Sequence, residues 1–306
     1  VSLRDDDDTE DSLAELGELA ATAGAEVVGT VIQQLDQIHP GTYVGSGKLE
    51  EIRNLIWELD ATGIICDDEL SPAQLRNMEQ ILDTKVMDRT LIILDIFAAR
   101  ARTSEGKIQV ELAQLKYRLS RLTGLGRSLS RLGGGIGTRG PGEKKLEMDR
   151  RLINHRAAQL NRELKDVIRH REVNRTRRME THTKVAAIVG YTNAGKSSIM
   201  NALVGLDKEQ YEQNELFATL DATTKAVKLV EDFTVSLTDT VGFIQNLPTE
   251  LIKAFKSTLE ESANVDLLIH VVDASNPHHE IHEQTVLKIM EDLKLTNIPV
   301  LNVYNK

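Results

Sequence analysis

The chain has 306 residues, of which 41% are hydrophobic and 27% are charged, and its formal net charge is −10. A chain of this size can bury more than one hydrophobic core, so we expect two or three domains. The single cysteine, Cys66, lies in an apolar run, which excludes a disulfide framework and predicts a buried thiol in a reducing cytosol. The apolar stretches are too short for a signal peptide or a membrane span. We therefore expect a cytoplasmic protein, with a membrane-associated fraction as the alternative.

The charge is unevenly distributed along the chain. Residues 100–178 contain 21 Lys and Arg against 8 Asp and Glu, a net charge of +13, whereas the remainder carries −23. Concentrated positive charge on an acidic protein favours local contact with an anionic polymer, although a helix with a solvated charged face has the same composition. The four consecutive aspartates Asp5 to Asp8 predict a disordered acidic tail over residues 1–11.

Residues 12–103 predict a small α/β domain. The predicted elements, in order, are a helix over Leu13–Ala23, a strand over Val27–Gln34, a helix over Lys48–Leu59, a strand over Gly63–Cys66 and a helix that begins at Pro72 after the N-cap Ser71. The segment Tyr43–Lys48 imitates a phosphate-binding loop. However, Thr42 stands where the first glycine should be and Leu49 replaces the Ser or Thr, so we interpret the segment as a turn that caps the next helix.

Residues 104–179 predict a basic helical hairpin, which we call the arm. Apolar residues recur every three or four positions from Ser104 to Leu122 and again from Glu143 to Met179, as expected for two helices that pack together. The connecting residues Thr123–Gly142 include eight glycines and three arginines. Such a tip suits close approach to folded RNA, because glycine lets backbone come near phosphate. The predicted RNA-binding residues are Arg127, Arg131, Arg139, Lys144 and Lys145.

Residues 180–306 begin with a phosphate-loop pattern. Gly190–Ser197 fits G-x-x-x-x-G-K-[ST] between a predicted buried strand, Thr183–Val189, and a predicted helix that starts with Ser198–Val204. This context lets backbone N–H groups and the helix N-terminus converge on phosphates. Lys196 would then reach the β- and γ-phosphates, and the Ser197 hydroxyl would bind Mg²⁺.

Two later segments indicate a nucleotide-dependent switch. Asp239 ends an apolar strand and is followed by Gly242, in a D-x-x-G pattern that would support Mg²⁺ and present a backbone N–H to the γ-phosphate. Between them and the phosphate loop lies a Thr-rich segment in which Thr219 is our predicted magnesium ligand and Thr223 the alternative.

Asn305 and Lys306 follow a predicted strand over Ile298–Val303 and match the first half of N-K-x-D, the guanine-recognition motif. The sequence stops before the aspartate that reads the base. We therefore expect a chain that is truncated within its GTPase domain.

These segments resemble the HflX family of translation-factor-class GTPases, in the Obg–HflX superfamily. The resemblance covers nearly the whole chain and is carried by Lys107–Leu115, Gly134–Glu143, Asp149–Arg151, the F-A-T-L-D segment from Phe217 to Asp221, and Asp239–Phe243. It implies a monomeric GTPase that binds GTP and GDP, contacts the large ribosomal subunit and its rRNA through the N-terminal region and arm, and splits or rescues stalled or dormant ribosomes. Two departures, Ser120 in place of a common proline and Lys144-Lys145 in place of a polar pair, leave the arm somewhat more basic.

Phe243 occupies the position where many small GTPases carry the glutamine that positions the attacking water. A phenyl ring cannot hydrogen-bond that water, so we expect slow intrinsic hydrolysis that the ribosome stimulates. In related GTPases that lack the glutamine, an asparagine at the position of Asn193 helps to hold K⁺ beside the phosphates. The alternative is that Asn193 only supports the turn.

The predicted fold class is α/β: an N-terminal α/β domain, the arm, and a P-loop GTPase domain with a parallel-type sheet. Lys196, Thr219 and Gly242 are the predicted catalytic residues, and Ser197, Thr219 and Asp239 the predicted Mg²⁺ ligands. The predicted nucleotide-binding set is Gly190, Tyr191, Thr192, Asn193, Ala194, Gly195, Lys196, Ser197, Ser198, Phe217, Thr219, Asp239, Gly242, Asn305 and Lys306. Two other functions stay open, an ATP-dependent RNA-remodelling protein and an RNA-binding fragment that does not hydrolyse nucleotide.

Overall fold

The structure is a computed structural model that describes residues 2–3, 9–129, 141–179, 184–205, 216–217, 223–230, 233–247, 252 and 265–306. Its contacts divide the chain into two compact units. The first unit contains Val1–Ile96 and Leu112–Leu160, and the second contains Phe97–Glu111 and Asn161–Lys306. The four-part division into residues 1–11, 12–103, 104–179 and 180–306 stays a prediction.

The first unit opens with mixed α/β structure. Its helices are α1 (Thr9–Thr22), α2 (Ser46–Glu58) and α3 (Pro72–Leu82), and its strands are β1 (Ser2–Leu3), β2 (Gln34–Leu35), β3 (Gly63–Cys66) and β4 (Lys85–Asp88). The strands form two parallel pairs, β1 with β2 and β3 with β4. A core that includes Leu49, Cys66, Met78, Leu82 and Val86 lies beneath β3 and β4. Cys66 is buried and free, as predicted, and its burial raises the pKa of the thiol to about 12.

Two predicted local features of this unit are confirmed. Ser71 caps α3: its Oγ accepts a hydrogen bond from the Gln74 amide at 3.2 Å, and the Gln74 side chain accepts one from the Ser71 amide at 2.9 Å. This reciprocal pair satisfies two amides that a helix start leaves without intrahelical partners. The segment that imitates a phosphate loop is indeed a helix start, since Gly45 is the N-cap of α2.

The predicted strand over Val27–Gln34 is wrong. Only Gln34 and Leu35 form a strand, and residues 25–33 have no regular structure. Val27 and Val28 are each 48% exposed. Strand propensity reflects how well a side chain fits a packed, pleated surface, and these valines have no such surface to cover.

Three long helices follow: α4 (Arg89–Arg100), α5 (Ser104–Leu129) and α6 (Pro141–Met179). The predicted apolar positions are buried or half-buried on α5 (Ile108, Leu112, Leu115, Leu119, Leu122) and on α6 (Leu146, Ile153, Ala157, Leu160, Leu164, Val167, Ile168). The packing of α5 against α6 stays a prediction. Within the described ranges, no helix is long and apolar enough to cross a membrane.

The connection between α5 and α6 was predicted to start at Thr123, but residues 123–129 are helical. Gly124 and Gly126 each cost about 1 kcal/mol relative to alanine in a helix interior. This cost is tolerated because Leu122, Leu125 and Leu129 continue the helical spacing. Residues 130–140, with Arg131 and Arg139, lie outside the described residues.

The second unit contains a five-stranded sheet. Its strands are β5 (Lys184–Gly190), β6 (Thr223–Val230), β7 (Phe233–Asp239), β8 (Leu267–Asp273) and β9 (Val300–Asn305), and its helices include α7 (Lys196–Val204) and α8 (His279–Asp292). The strand order is β6-β7-β5-β8-β9, with β6 antiparallel to β7 and the remaining pairs parallel. The mostly parallel sheet predicted for this region is therefore confirmed. Its carboxyl edge gathers the ends of β5, β7, β8 and β9, which is where α/β sheets bind ligands.

Candidate nucleotide-binding site

The loop from Gly190 to Gly195 joins β5 to α7, and its backbone requires glycine at two points. Gly190 has φ 155°, and a Cβ there would collide with the carbonyl oxygen of Val271. Gly195 has φ 91°, caps α7 and leaves room for the side chain of Asn305. Since φ between these strands and helices is positive at both positions, a larger residue would be strained as well as crowded.

Lys196, the first residue of α7, is buried beneath this loop. Its side chain is 5% exposed, and Nζ donates a hydrogen bond to the carbonyl oxygen of Tyr191 at 2.7 Å. Burial lowers the pKa of Lys196 to about 8, and the charge of Asp239 partly opposes this shift. A buried ammonium that donates to a neutral carbonyl has much to gain from an anion, because phosphate would stabilise its charged form.

Ser197 and Asp239 come together from different elements. Ser197 lies in the first turn of α7 and Asp239 ends β7, and Ser197 Oγ donates to Asp239 Oδ2 at 2.7 Å. A hydroxyl and a carboxylate oxygen are ligands that suit a hard divalent cation. Among the described residues, no group of three or more His, Cys, Asp or Glu could hold a metal ion. A cation here would therefore need phosphate oxygens or water as further ligands.

The segment after β7 is hydrogen-bonded to the loop. The Phe243 amide donates to Gly190 O at 3.1 Å, and Phe243 O accepts from the Thr192 amide at 2.7 Å. A Cβ at Gly242 would come within 2.7 Å of Thr192 Cα and 3.0 Å of Lys196 Nζ, so only glycine fits between them. The Phe243 ring is fully buried. The ring therefore faces the protein interior and contributes no polar group to the loop.

Asn305 and Lys306 fasten the loop to the far strands of the sheet. Asn305 Nδ2 donates to Ala194 O at 2.9 Å, and Lys306 Nζ donates to Asn193 O at 2.8 Å. Lys306 also pairs with Asp273 at the end of β8, at 2.9 Å. Burial alone would raise the pKa of Asp273, but hydrogen bonds from Ser275 and Lys306 bring it below its ordinary value.

Comparison with known proteins agrees with this geometry. Family models for "GTP-binding GTPase N-terminal", "GTP-binding GTPase Middle Region" and "50S ribosome-binding GTPase" match residues 10–98, 100–178 and 185–306. A protein from Lacrimispora saccharolytica named GTPase HflX is 60% identical over 306 residues, which cover 100% of this chain and 72% of that protein. GTPase HflX of Alkalihalophilus pseudofirmus is 52% identical, with 99% of this chain and 71% of the relative covered. GTPase HflX of Escherichia coli is 42% identical, with 98% and 70% covered.

The chain belongs to the HflX family of GTPases. It is therefore a GTP-binding and GTP-hydrolysing enzyme. Among solved structures, a GTP-binding protein from Sulfolobus solfataricus in complex with GDP is 25% identical with a TM-score of 0.49, and the match covers 100% of this chain and 81% of that chain.

The structure brings most of the site residues expected for an HflX-family GTPase into one place. Those gathered at the carboxyl edge of the sheet are Gly190, Tyr191, Thr192, Asn193, Ala194, Gly195, Lys196, Ser197, Ser198, Asp239, Gly242, Asn305 and Lys306. Thr219 lies outside the described residues. Its alternative, Thr223, begins β6 and is paired in register with Asp239. The choice between the two threonines stays a prediction.

Phe217 lies beside the loop, and its contact there is made by its backbone. The Phe217 amide donates to Thr192 Oγ at 3.0 Å, whereas its ring is buried. Of the predicted RNA-binding residues, Lys145 is exposed on α6. Arg127 and Lys144 belong to helices but their side chains are outside the described residues, as are Arg131 and Arg139 entirely.

Three residues of this site were missed by the sequence reasoning. Asp273 and Ser275 orient the end of β8, and His282 of α8 stacks on the Tyr191 ring at 3.7 Å with an interplanar angle of 5°. A signal existed for Asp273, because it ends an apolar strand as Asp239 does. The sequence carries no comparable signal for His282, since its contact with Tyr191 depends on how α8 packs.

Proposed function

We propose that this enzyme is a ribosome-binding GTPase switch that hydrolyses GTP to GDP and phosphate on the large ribosomal subunit, and that it splits or rescues stalled or dormant ribosomes. The observation that carries the proposal is the basic segment 100–178, with its net charge of +13 in an otherwise acidic protein. On α6 this charge is displayed outward, by exposed basic residues that include Lys145, Arg150, Arg151, Arg162, Lys165 and Arg169. The description of the family model that matches residues 185–306, a 50S ribosome-binding GTPase, supports the same partner. A cytoplasmic location and a monomeric state go with this proposal.

In the proposed chemistry, the loop from Gly190 to Ser197 binds the phosphates. Lys196 exchanges its hydrogen bond to Tyr191 O for phosphate oxygens, and Gly242 presents its backbone N–H to the γ-phosphate. Ser197, Asp239 and Thr219 would hold Mg²⁺, which neutralises charge on the phosphate oxygens.

Slow intrinsic hydrolysis follows from the burial of Phe243. Since its ring is enclosed and non-polar, this position cannot orient an attacking water, and the ribosome would have to supply that alignment. Asn193 is exposed in the loop and has φ 58°, while its carbonyl oxygen is held by Lys306. Its side chain is thus placed to help hold K⁺ beside the phosphates.

The role of the arm is tested by charge removal. We expect binding to large subunits to weaken steeply with salt, because each phosphate contact releases counterions. Replacement of Arg127, Arg131 and Arg139 by Gln should lower affinity for the subunit and reduce the salt slope by about three phosphate contacts. The matched control replaces Arg53, Lys85 and Lys288, three exposed basic residues outside residues 100–178, by Gln. GTP affinity of the isolated protein should change in neither variant.

Deletion of residues 130–140 gives the most direct outcome. If the shortened protein still binds and splits ribosomes as the parent does, the tip is a spacer and the proposed role of the arm is wrong. Turnover is measured in parallel with and without ribosomes and with K⁺ or Na⁺. Fast ribosome-free hydrolysis that ignores the cation, or an Asn193→Ala variant that keeps any K⁺ preference, would contradict the proposed catalytic roles.

A further inference from the structure

A buried contact within the second unit links the phosphate loop to the last turn of α4. The Phe217 ring packs edge-to-face on the Phe97 ring, with centroids 4.6 Å apart and an interplanar angle of 74°. Arg100 Nη1 donates to Phe217 O at 3.3 Å. On its other side, the Phe217 amide donates to Thr192 Oγ at 3.0 Å. Phe217 is therefore held through its ring, its carbonyl and its amide at once.

The backbone of Phe217 shows that these holds are needed. Its φ of 57° lies in the left-handed region. This region costs a non-glycine residue roughly 1–2 kcal/mol and persists only when the surroundings enforce it. Phe97 and Phe217 are both almost fully enclosed, so their rings cannot be replaced by water without loss. The conformation is thus maintained by α4 from one side and by the loop from the other.

Thr192 is the part of the loop that responds to this contact. Its amide donates to Phe243 O at 2.7 Å, and its Cα lies so close to Gly242 that a Cβ on that glycine would be 2.7 Å away. A shift of Thr192 would therefore move Gly242, which in turn lies against Lys196 Nζ. The position of Phe217 sets the position of Thr192, and Thr192 sets the spacing between Gly242 and Lys196.

We propose that Phe97 and Arg100 are positioning residues for GTP binding, which act through Phe217 and Thr192 to hold the phosphate loop in its binding geometry. The proposal rests on the proposed role of Gly190–Ser197 as the phosphate-binding loop. Phe97 belongs to the segment matched by the N-terminal family model, whereas Phe217 belongs to the segment matched by the GTPase model. The contact thus gives α4 a means to influence nucleotide affinity.

Coupling of this kind is reciprocal: if the last turn of α4 improves nucleotide binding, bound nucleotide must stabilise that turn by the same factor. The turn is closed by the Ala101 amide, which donates to Phe97 O at 2.9 Å. Hydrogen exchange at the Ala101 amide should therefore slow by about threefold to tenfold when GDP saturates the protein. In Thr192→Val, which keeps the shape of the side chain but removes the Oγ acceptor, this protection should disappear.

The affinity test uses Phe97→Leu, Arg100→Met and Thr192→Val, measured with fluorescent GDP and a non-hydrolysable GTP analogue. Each single change should weaken binding by about threefold to tenfold, the effect of one lost hydrogen bond or aromatic contact. The double variant Phe97→Leu/Thr192→Val should lose less than the product of the single losses, because both changes release the same residue. A KM increase with little change in kcat is expected in multiple-turnover assays.

Two control variants separate positioning from general damage. Leu295→Ala truncates a buried residue between α8 and β9, at the opposite edge of the sheet, and should lower Tm but keep nucleotide affinity within about twofold. Arg169→Met removes an exposed charge from α6 and should change neither quantity.

Lys196→Ala distinguishes the two ways in which the idea can fail. If Lys196→Ala leaves affinity intact, the phosphate-loop assignment itself is wrong. If Lys196→Ala abolishes binding while Phe97→Leu and Arg100→Met bind as the parent does, only the positioning role is overturned. Additive losses in the double variant together with unchanged Ala101 exchange would also overturn it, and Arg100→Met provides this test if Phe97→Leu does not fold.

Discussion

The carboxyl edges of two parallel sheets carry buried cations in very different company. At the end of β4 in the first unit, Arg89 donates to the Glu15 carboxylate at 2.7 Å and to the Asp67 carboxylate at 2.9 Å. At the end of β5 in the second unit, Lys196 donates to the neutral carbonyl of Tyr191. Arg89 already has two full negative charges beside it, whereas Lys196 has most to gain from an anion that arrives from solution.

The buried aspartates of the two regions show the same contrast. Asp88 accepts hydrogen bonds from the Leu70 and Leu91 amides, from the Tyr117 hydroxyl and from Arg121. Four donors from three segments of chain make it a structural centre. Asp239 accepts from the Ser197 hydroxyl, a group that can also bind a metal ion. Residue type and strand edge are alike in both regions, and the partners decide which region is a site.

The largest effect that this contrast predicts is on stability. Arg89→Met leaves the carboxylates of Glu15 and Asp67 buried beside an apolar side chain and should lower the free energy of unfolding by about 3–5 kcal/mol. Urea denaturation followed by circular dichroism measures the loss, with Arg53→Met on the exposed side of α2 as the control. A loss below about 1 kcal/mol would show that the Arg89 cluster is not the structural centre we describe.

Next in size is the effect of Lys196→Ala on nucleotide binding. Removal of the buried cation should weaken GTP binding by about 2–4 kcal/mol, roughly 30-fold to 1,000-fold, because a charge-assisted contact to phosphate is lost. Titration calorimetry measures this change. The Tm of the nucleotide-free protein should move far less than in Arg89→Met, and equal affinity in variant and parent would remove the phosphate-loop assignment.

A smaller effect should appear on changing pH. The pKa of Lys196 is lowered by burial to about 8, and bound phosphate should raise it again. Binding should therefore take up a proton above about pH 8, and GTP affinity should fall with rising pH by at most tenfold per pH unit. Calorimetry in two buffers with different ionisation enthalpies detects the proton, and Lys196→Ala should lose the uptake.

The same group affects stability in the opposite direction. Because the pKa of Lys196 is lower in the folded protein than the roughly 10.4 of an unfolded lysine, the unfolded chain binds more protons between these two values. The stability of the nucleotide-free protein should therefore rise from about pH 8 upward, whereas below that pH the cost of burying the ammonium is fully present. Unfolding midpoints of parent and Lys196→Ala, compared at several pH values, isolate this contribution.

The smallest effect is expected at an exposed ion pair. Lys184 lies 2.6 Å from Asp266, with side chains 59% and 43% exposed. Lys184→Met should cost no more than about 0.5 kcal/mol, because water and salt screen such a pair. The Asp266 pKa is lowered first by Lys184 and then by the Val185 amide, so it should rise only part of the way in the variant. NMR titration of the carboxyl group tests this, and a cost near that of Arg89→Met would mean that burial does not separate these pairs.

Local rules predicted much of the second unit. The glycines, Lys196 and Ser197 belong to one strand, one loop and one helix turn, so their arrangement follows from short-range backbone geometry. Asp239 was predictable for a related reason, because parallel strands bring their carboxyl ends to one edge. The same holds for Ser71 in the first unit, where the capping box is complete within four residues.

Contacts between distant segments were not predictable in this way. The Phe97–Phe217 pair joins residues far apart in the chain, and neither ring differs in sequence from an ordinary core residue. The valines before Gln34 have strand propensity, but propensity cannot show that no packed surface awaits them. The extension of α5 through Gly124 and Gly126 likewise depends on the leucines that continue its spacing rather than on the glycines themselves.

The two bonds from β9 to the phosphate loop have a consequence for the nascent chain. Asn305 holds Ala194 across 111 positions of sequence, and Lys306 holds Asn193 across 113. Contacts so far apart form late, because the loop closed between them costs entropy before any contact repays it. During synthesis, β5 and α7 leave the ribosome long before β9 does. The protein can therefore acquire its full grip on nucleotide only after its own last described strand has been made.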